Sequence, residues 1–332
     1  MKNFQYYRPT TVAQAIALLD TRWGPSELLA GGTDLHALQK DYVAQPARVV
    51  SLNAINALSG IANERAGLKI GANTTLAAIA AHETVRKSFP GLAAAAGEIG
   101  GPQIRNMGTL GGNLCQRNRC WYFRDEHTKC LLRGGQRCFA LDGENKYHAV
   151  FTQGSRCVIV NPSTLAPVLI ALEATAEVQG PRGPRTVELG KFFYAPSAAN
   201  EREHTLAPNE VVLSVTIPTA STRSNASYEV RHKQSYDWPL VQAAVAFQRN
   251  DGKVQGARIV LGHVAPTPHL SEAAGRAING RAITDETITA AGRAAIEGAK
   301  PLSQNAYKLK LIEVAVKRAL LIAAGQKRYW ET

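Results

Sequence analysis

Apolar residues Val12, Ile16 and Leu19 recur at helical spacing over 11–20, and Thr10 or Thr11 stands ready to cap the first turn. Residues 26–30 read as a short buried strand running into Gly31 and Gly32. Residues 47–52 and 68–70 read as further strands, and 75–81 and the Ala-rich 90–97 as helices, so the first part alternates in an α/β pattern. Periodicity then fails. Residues 100–113 are glycine-rich, and 115–157 are rich in Arg, Gly and aromatics, as in an insertion organised around something other than a hydrophobic core. Regular structure resumes at 157–160; a helix with an apolar face follows at 165–172, then strands at 176–179 and 185–189 around a turn. The polar, Ser/Thr-rich stretch 218–225 reads as a linker and domain boundary. Beyond it, 226–232, 241–249 and 255–262 read as three strands of an antiparallel sheet, and 271–277, 285–298 and 306–324 as helices. No internal repeat or low-complexity tract is visible.

A chain of 332 residues is too long for one typical core and points to two or three domains. Hydrophobic residues at 45% and charged residues at 19% are the balance of an ordinary folded soluble protein. No apolar run reaches the ~18 residues that span a membrane. The N-terminus has no apolar h-region, so no signal peptide is expected and the mature chain is read as starting near Met1. The net charge of +12 bears on partners, not on fold. It fits a solvated basic surface or an acidic protein partner. The basic residues are scattered, with no polybasic run or basic helix with interleaved aromatics, which argues against nucleic acid.

Two segments carry candidate anion chemistry. In Ala30-Gly31-Gly32-Thr33-Asp34-Leu35 the glycines let backbone N–H groups approach an anion, Thr33 adds a hydroxyl, and residues 35–40 start a helical turn whose N-terminus favours phosphate. The segment is neither GxGxxG nor a Walker loop, and an ordinary Gly-Gly turn fits it equally well. Gly108-Thr109-Leu110-Gly111-Gly112-Asn113 repeats the chemistry. Together the two would grip the pyrophosphate of a dinucleotide; the plain alternative is a tight loop between subdomains.

All five cysteines lie between Cys115 and Cys157, a clustering that favours a metal or cluster site over a disulfide framework. No CxxC pair exists, which disfavours zinc, and the ferredoxin spacing is absent too. A 4Fe–4S cluster needs only thiolates converging in space, which irregular loops supply. Arg119, Arg124, Arg133 and Arg137 are expected to surround the ligands, offset cluster charge and lower the thiol pKa values. Spacing alone leaves iron–sulfur, zinc and free or structural thiols open.

The order of these features resembles a known family. A strand ending in AGGTDL, then IRNMGTLGGNLCQRNRCWYFR, then spaced cysteines ending near NPSTLAP, resembles the FAD-binding (medium) subunit of the xanthine dehydrogenase or molybdenum hydroxylase family. More narrowly it looks like the branch carrying an additional 4Fe–4S cluster, as in 4-hydroxybenzoyl-CoA reductase and bacterial periplasmic aldehyde oxidoreductase. The resemblance covers essentially the whole chain. It implies an α+β fold: a two-subdomain PCMH-type FAD-binding domain, related to vanillyl-alcohol oxidase, over 1–220, with the 4Fe–4S insertion at about 115–157. A C-terminal domain of three antiparallel strands and helices, of the CO dehydrogenase flavoprotein type, would follow over 224–330.

For the site, the resemblance implies a first pyrophosphate loop over 29–38, including Leu29, Ala30, Gly31, Gly32, Thr33, Asp34 and Leu35, and a second at Thr109, Gly112 and Asn113. Ile99 falls against the flavin ring, and Thr164 stands in the flavin-associated motif Asn161-Pro162-Ser163-Thr164. The implied cluster ligands are Cys120, Cys130, Cys138 and Cys157, with Cys115 a buried non-ligand near the flavin. Two departures stand out: the family usually has Asp where Thr164 stands and Lys where Glu229 stands. A negative Glu229 near the ring would disfavour anionic reduced flavin, so a lower reduction potential than in relatives keeping Asp and Lys is expected.

On this reading the chain does no substrate chemistry. A molybdenum-cofactor large subunit acts on the substrate, a 2Fe–2S small subunit passes electrons to the FAD, and an external carrier, ferredoxin-like or otherwise, completes the path. The basic surface then docks acidic subunits or an acidic carrier. A cytoplasmic location is expected, or a periplasmic one by co-export with a signal-bearing subunit. The competing readings are a stand-alone flavin oxidase of the vanillyl-alcohol oxidase type, with His232 or Tyr236 as acid–base candidates, and a non-enzymatic zinc-binding protein.

Overall fold

The N-terminal sheet is small and parallel. Strands β1 (Gln5–Tyr7), β2 (Ser26–Leu29) and β3 (Arg48–Ser51) pair in the order β1-β3-β2. Helices α1 (Val12–Ala17) and α2 (Leu35–Lys40) supply the crossovers. Thr11 caps α1, its Oγ1 accepting the Gln14 N–H at 3.2 Å. These are the predicted elements apart from β1, which is short and mostly exposed and so carries little pattern. The structure is a computed structural model and describes residues 1–152, 154–219 and 223–326.

The α/β alternation stops after β3. Strands β4 (Ile61–Glu64), β5 (Gly67–Gly71), β6 (Thr175–Gly180), β7 (Gly183–Glu188) and β8 (Val211–Pro218) form an antiparallel sheet in the order β4-β5-β8-β6-β7. The central strand, β8, was not anticipated, and neither was β4. Helices α3 (Leu76–Ala81), α4 (Glu83–Ser88), α5 (Pro90–Glu98) and α7 (Leu110–Cys115) contribute to the core of this sheet, and α6 (Pro102–Met107), which has no buried residue, borders the cavity described below. Two of them, α6 and α7, run through the stretch read as a glycine loop.

The cysteine segment has almost no regular structure: one turn of helix, α8 (Trp121–Arg124), and a 3-10 turn at Leu131–Arg133. The regular structure expected at 157–160 is not a strand. The N–H groups of Val158 and Ile159 are turned to the sulfurs of Cys138 and Cys157 and are lost to any ladder. Helix α9 (Leu165–Ala171), buried along its whole length, follows.

Strands β9 (Ser224–Val230), β10 (Val241–Asn250), β11 (Lys253–Gly262) and β12 (His269–Leu270) form the C-terminal antiparallel sheet, which adds β12 to the three strands expected. Helices α10 (Glu272–Ile278), α11 (Asp285–Ala294) and α12 (Tyr307–Ala323) cover one face. The run Val241–Phe247 is buried on both faces: Ala244 and Ala246 join the core of the preceding sheet, and Ala243, Val245 and Phe247 join the core under α10–α12. Small side chains on one face let α9 approach closely, and bulky ones on the other fill the helix layer. A hydrogen bond from Gly91 N–H to Asn225 Oδ1 (2.9 Å) ties α5 to β9. Residues 220–222 of the expected linker and 327–330 of the expected C-terminal domain lie outside the described residues. Among the described residues no helix is long and apolar enough to cross a membrane.

Candidate functional site

The carboxyl end of β2 opens onto the main cavity, the position where parallel sheets place ligands. The chain leaves β2 at Leu29 and turns through Ala30, Gly31, Gly32, Thr33 and Asp34 into α2 at Leu35; every one of these residues lines the cavity. Gly32 adopts φ +73°, a conformation that favours glycine. A Cβ on Gly31 would collide with the carbonyl of Met107, so the two glycine segments are in backbone contact. The N–H groups of Gly31, Gly32, Thr33 and Asp34 make no hydrogen bond with any described residue. Four successive free donors at the wall of a cavity are an anion nest.

The second segment differs from expectation. Thr109, Gly112 and Asn113 do line the cavity, but Thr109 caps α7 and the N–H groups here are occupied. Leu110 donates to Thr74 O (3.0 Å), Gly111 to Ala72 O (2.8 Å), Gly112 to Thr109 Oγ1 (3.2 Å) and Asn113 to Thr109 O (2.9 Å). Asn113 Oδ1 accepts from Ser163 Oγ at 2.7 Å, which fixes the turn before α9 and leaves the amide NH2 for a ligand. This segment therefore supplies a wall and a side-chain donor; the backbone cradle belongs to the first loop.

The cavity measures about 990 Å³, at the upper end of small-molecule and cofactor sites. Ile99 and Thr164 line it as well, so all the dinucleotide-site residues anticipated from the sequence converge on one space. Cys115 faces it too and makes no contact with the other cysteines; burial pushes its thiol up to about 12. Tyr236 lines the same cavity at φ 55°, while His232 is exposed and borders a separate space of about 250 Å³. The two acid–base candidates of the oxidase reading do not meet.

Asp34 ties the first loop to the cysteine segment. Its Oδ1 accepts from Arg119 Nη1 (2.6 Å) and Arg124 Nη2 (2.7 Å), and its Oδ2 from the Arg117 N–H (2.8 Å). Both oxygens are committed to protein, so Asp34 shapes the loop. Glu203, which sequence reasoning missed, does the same from the other side: it accepts from Asn118 N–H (3.0 Å) and Nδ2 (2.7 Å) and pairs with Arg117 at 2.7 Å. No local spacing signals an interaction across 85 residues.

Burial acts to raise both carboxyls, but the arginines outweigh it and hold both below their ordinary values of 3.8 and 4.5. Carboxyls depressed in the folded state contribute stability that is full above those ordinary values and is lost as pH falls through the folded ones. Urea midpoints should therefore drop steeply below about pH 4, and less steeply in Asp34→Asn. Parallel profiles for the two proteins would refute the role given to Asp34.

The four anticipated cluster ligands lie together. Cys130, Cys138 and Cys157 are buried at 7%, 8% and 4% exposure, Cys120 is half-buried beside them, and no disulfide forms. At each, the backbone N–H two residues on points at the sulfur: Tyr122 to Cys120, Leu132 to Cys130, Ala140 to Cys138, Ile159 to Cys157. The N–H groups of Phe123, Arg133 and Leu141 donate to the backbone carbonyls of Cys120, Cys130 and Cys138, and that of Val158 also faces the Cys138 sulfur. Cys115 has no such donor. His148 Nε2 stands 3.2 Å from Cys120 Sγ.

Among the described residues no group of three or more His, Cys, Asp or Glu converges as one metal ion requires. The expectation that arginines lower the thiols is corrected. Burial raises Cys120 to about 12 and raises Cys130, while Cys157 is raised first by its hydrogen bond to Cys138 and then by burial; only Cys138 is lowered, to about 6, by the Cys157 thiol donating to it. Arg119 and Arg124 serve Asp34, and Arg137 is exposed near Asp142; Arg133 alone acts on a ligand thiol, Cys130.

Glu229 also lines the cavity, fully buried. Burial, with Glu98 nearby, pushes it up to about 8, so it is mostly neutral at pH 7. The negative charge behind the expected low flavin potential is thus largely absent below pH 8.

Residues 2–220 match the FAD binding domain in molybdopterin dehydrogenase, and residues 226–323 the CO dehydrogenase flavoprotein C-terminal domain. The chain is 34% identical over 331 residues to the FAD-binding subunit PaoB of the Escherichia coli K12 aldehyde oxidoreductase, covering 98% of this chain and all (100%) of that one. It is 30% identical over 323 residues to the medium chain of Hydrogenophaga pseudoflava carbon monoxide dehydrogenase, covering 96% of each. It superimposes on the solved structure of the H. pseudoflava enzyme lacking the Mo-pyranopterin moiety with a TM-score of 0.77 at 30% identity, covering 98% of each chain.

Proposed function

Because the chain belongs to the FAD-binding medium subunits of the xanthine dehydrogenase and carbon monoxide dehydrogenase family of molybdenum oxidoreductases, we propose that it is the electron-transfer subunit of such a complex, with FAD in the large cavity and a 4Fe–4S cluster on Cys120, Cys130, Cys138 and Cys157. When bound, FAD exchanges electrons between one- and two-electron carriers, and the cluster relays them singly. Partner subunits carry a 2Fe–2S centre and the molybdenum cofactor, and an external carrier takes or supplies electrons. The net charge of +12 suits docking to acidic subunits or an acidic carrier.

The chain's own part is to position and to set the electrostatics. The free N–H groups of Gly31–Asp34 receive the pyrophosphate, Asn113 adds its amide, and Ile99 and Thr164 bound the ring end. The cluster assignment is carried by one observation: each proposed ligand has a backbone N–H aimed at its sulfur from two residues on, and Cys115 has none. Such donors stabilise thiolate charge and tune cluster potential.

We propose also that residues 1–220 form a PCMH-type domain in which the first sheet and helices α6 and α7 each bring a glycine segment to the cavity, with the cluster insertion at about 115–157, and that 224–330 form the C-terminal domain. Cys115→Ala tests the division of the cysteines. Iron content and visible absorption should equal those of the unmodified chain; iron loss in this variant would remove the basis for excluding Cys115.

A further inference from the structure

Thr164 and Glu229, the two positions where the chain departs from the family pattern, are neighbours: both line the large cavity, and the Thr164 hydroxyl acts to lower the Glu229 carboxyl. Glu229 lies on β9 with Gln242 of β10 as its register partner. Its side chain is 2% exposed, and it lines the large cavity. Oε2 stands 3.6 Å from Arg231 Nε, and Oε1 has no hydrogen-bond partner among the described residues. Gln242 does not satisfy it, since Nε2 is bonded to Thr164 O and Ser227 Oγ, both at 2.9 Å.

The charges around Glu229 do not balance. Arg231, the residue just past the end of β9, is shared with Glu98 from the end of α5, at 3.1 Å. His263, 3.5 Å from Thr164 Oγ1, is kept neutral by burial. Arg318 of α12 donates to the Tyr228 hydroxyl, one residue along β9 and so on its other face. One guanidinium thus faces two carboxyls. Glu98 is 45% exposed whereas Glu229 is 2% exposed, so the charge that burial makes costly is that of Glu229. Burial and Glu98 push Glu229 up to about 8.

We propose that Glu229 determines ligand specificity as a carboxylic acid: its Oε1 donates a hydrogen bond to an acceptor atom on the ring system of the bound dinucleotide, and the cavity loses affinity when Glu229 ionises. This rests on the assignment of FAD to the cavity. An oxidised flavin ring is uncharged and rich in carbonyl and ring-nitrogen acceptors. A neutral carboxyl matches them, while a carboxylate brings only acceptors and leaves both sides unpaired.

The test is the dissociation constant of FAD for the full chain, followed by quenching of FAD fluorescence between about pH 6 and pH 9. Affinity should be constant below about pH 7 and weaken about tenfold by pH 9, as the protonated fraction falls. Glu229→Gln keeps a donor and does not titrate, so its profile should be flat. A flat profile for the unmodified chain, or an unchanged slope in Glu229→Gln, overturns the proposal while leaving FAD in the cavity. Failure to bind FAD at any pH overturns the cavity assignment itself, and the proposal with it. Should Glu229→Gln not fold, the infrared C=O band of a protonated carboxyl decides. It should be present near pH 7 and gone near pH 9, and a band that is absent at pH 7 or persists at pH 9 overturns the proposal.

Discussion

Cys138→Ala is expected to empty the iron site, with iron falling from ~4 atoms per chain to near zero and the visible absorption of the cluster lost. Cys138 is the most heavily engaged of the cysteines: the N–H groups of Ala140 and Val158 and the thiol of Cys157 face its sulfur. Removing it leaves those buried donors facing a methyl group. The effect should spread along the segment. Residues 115–157 have one helical turn, one 3-10 turn and a small apolar cluster in which Cys130, Cys138 and Cys157 are themselves members. With so little regular structure, ligand binding and folding of the segment are coupled. Limited proteolysis should therefore cut Cys138→Ala within 115–157 and spare the unmodified chain. FAD should bind more weakly as well, because Arg117, Arg119 and Arg124 of this segment hold Asp34 of the first loop, and the segment lines part of the cavity. Retention of iron in Cys138→Ala would refute the ligand set.

Gly31→Ala should have the next largest effect, on the flavin. An added Cβ would sit within the van der Waals radius of the Met107 carbonyl and against Gly108 Cα. Both obstacles are backbone, so no side chain can swing away and the two glycine segments must part. A forced shift of this kind costs about 1–3 kcal/mol. It also displaces the N–H nest, so FAD affinity should fall by on the order of 100-fold, equivalent to about 2.8 kcal/mol. Gly190→Ala is the control: nothing lies within 4 Å of its added Cβ, and stability should stay within about 0.5 kcal/mol. Equal FAD affinity in Gly31→Ala and the unmodified chain would mean that the pyrophosphate lies elsewhere.

Sequence patterning succeeded where one face of an element is buried and its period is clean. The helix at Leu35–Lys40 has the expected bounds, and β6, β7 and β9–β11 lie within a few residues of expectation. It failed at β8, whose run VVLSVTIP is buried at most positions, so that no clean alternation marks the strand. It also failed at α7, where glycines inside a helix look like a loop. Tertiary contact overrides their propensity there, with Gly111 set against Ala72 and Thr109 capping the turn.

For the site, residue types and order sufficed to bring the first loop, Ile99, Asn113 and Thr164 to one cavity. What each does was not legible. That Asp34 is consumed by arginines, and that Glu229 is held beside Thr164 with an unbonded oxygen, depends on partners 65 to 90 residues away. The N–H bonds that separate the four ligand cysteines from Cys115 depend on the turn after each cysteine, and no spacing rule encodes that turn.

The most direct test is cofactor stoichiometry, with iron and FAD measured anaerobically on this chain after separation from its partner subunits. The account predicts about one FAD and ~4 iron atoms per chain, with the visible absorption of an iron–sulfur centre beneath that of the flavin. A chain that carries FAD but no iron, or that binds zinc at the cysteines, would contradict it.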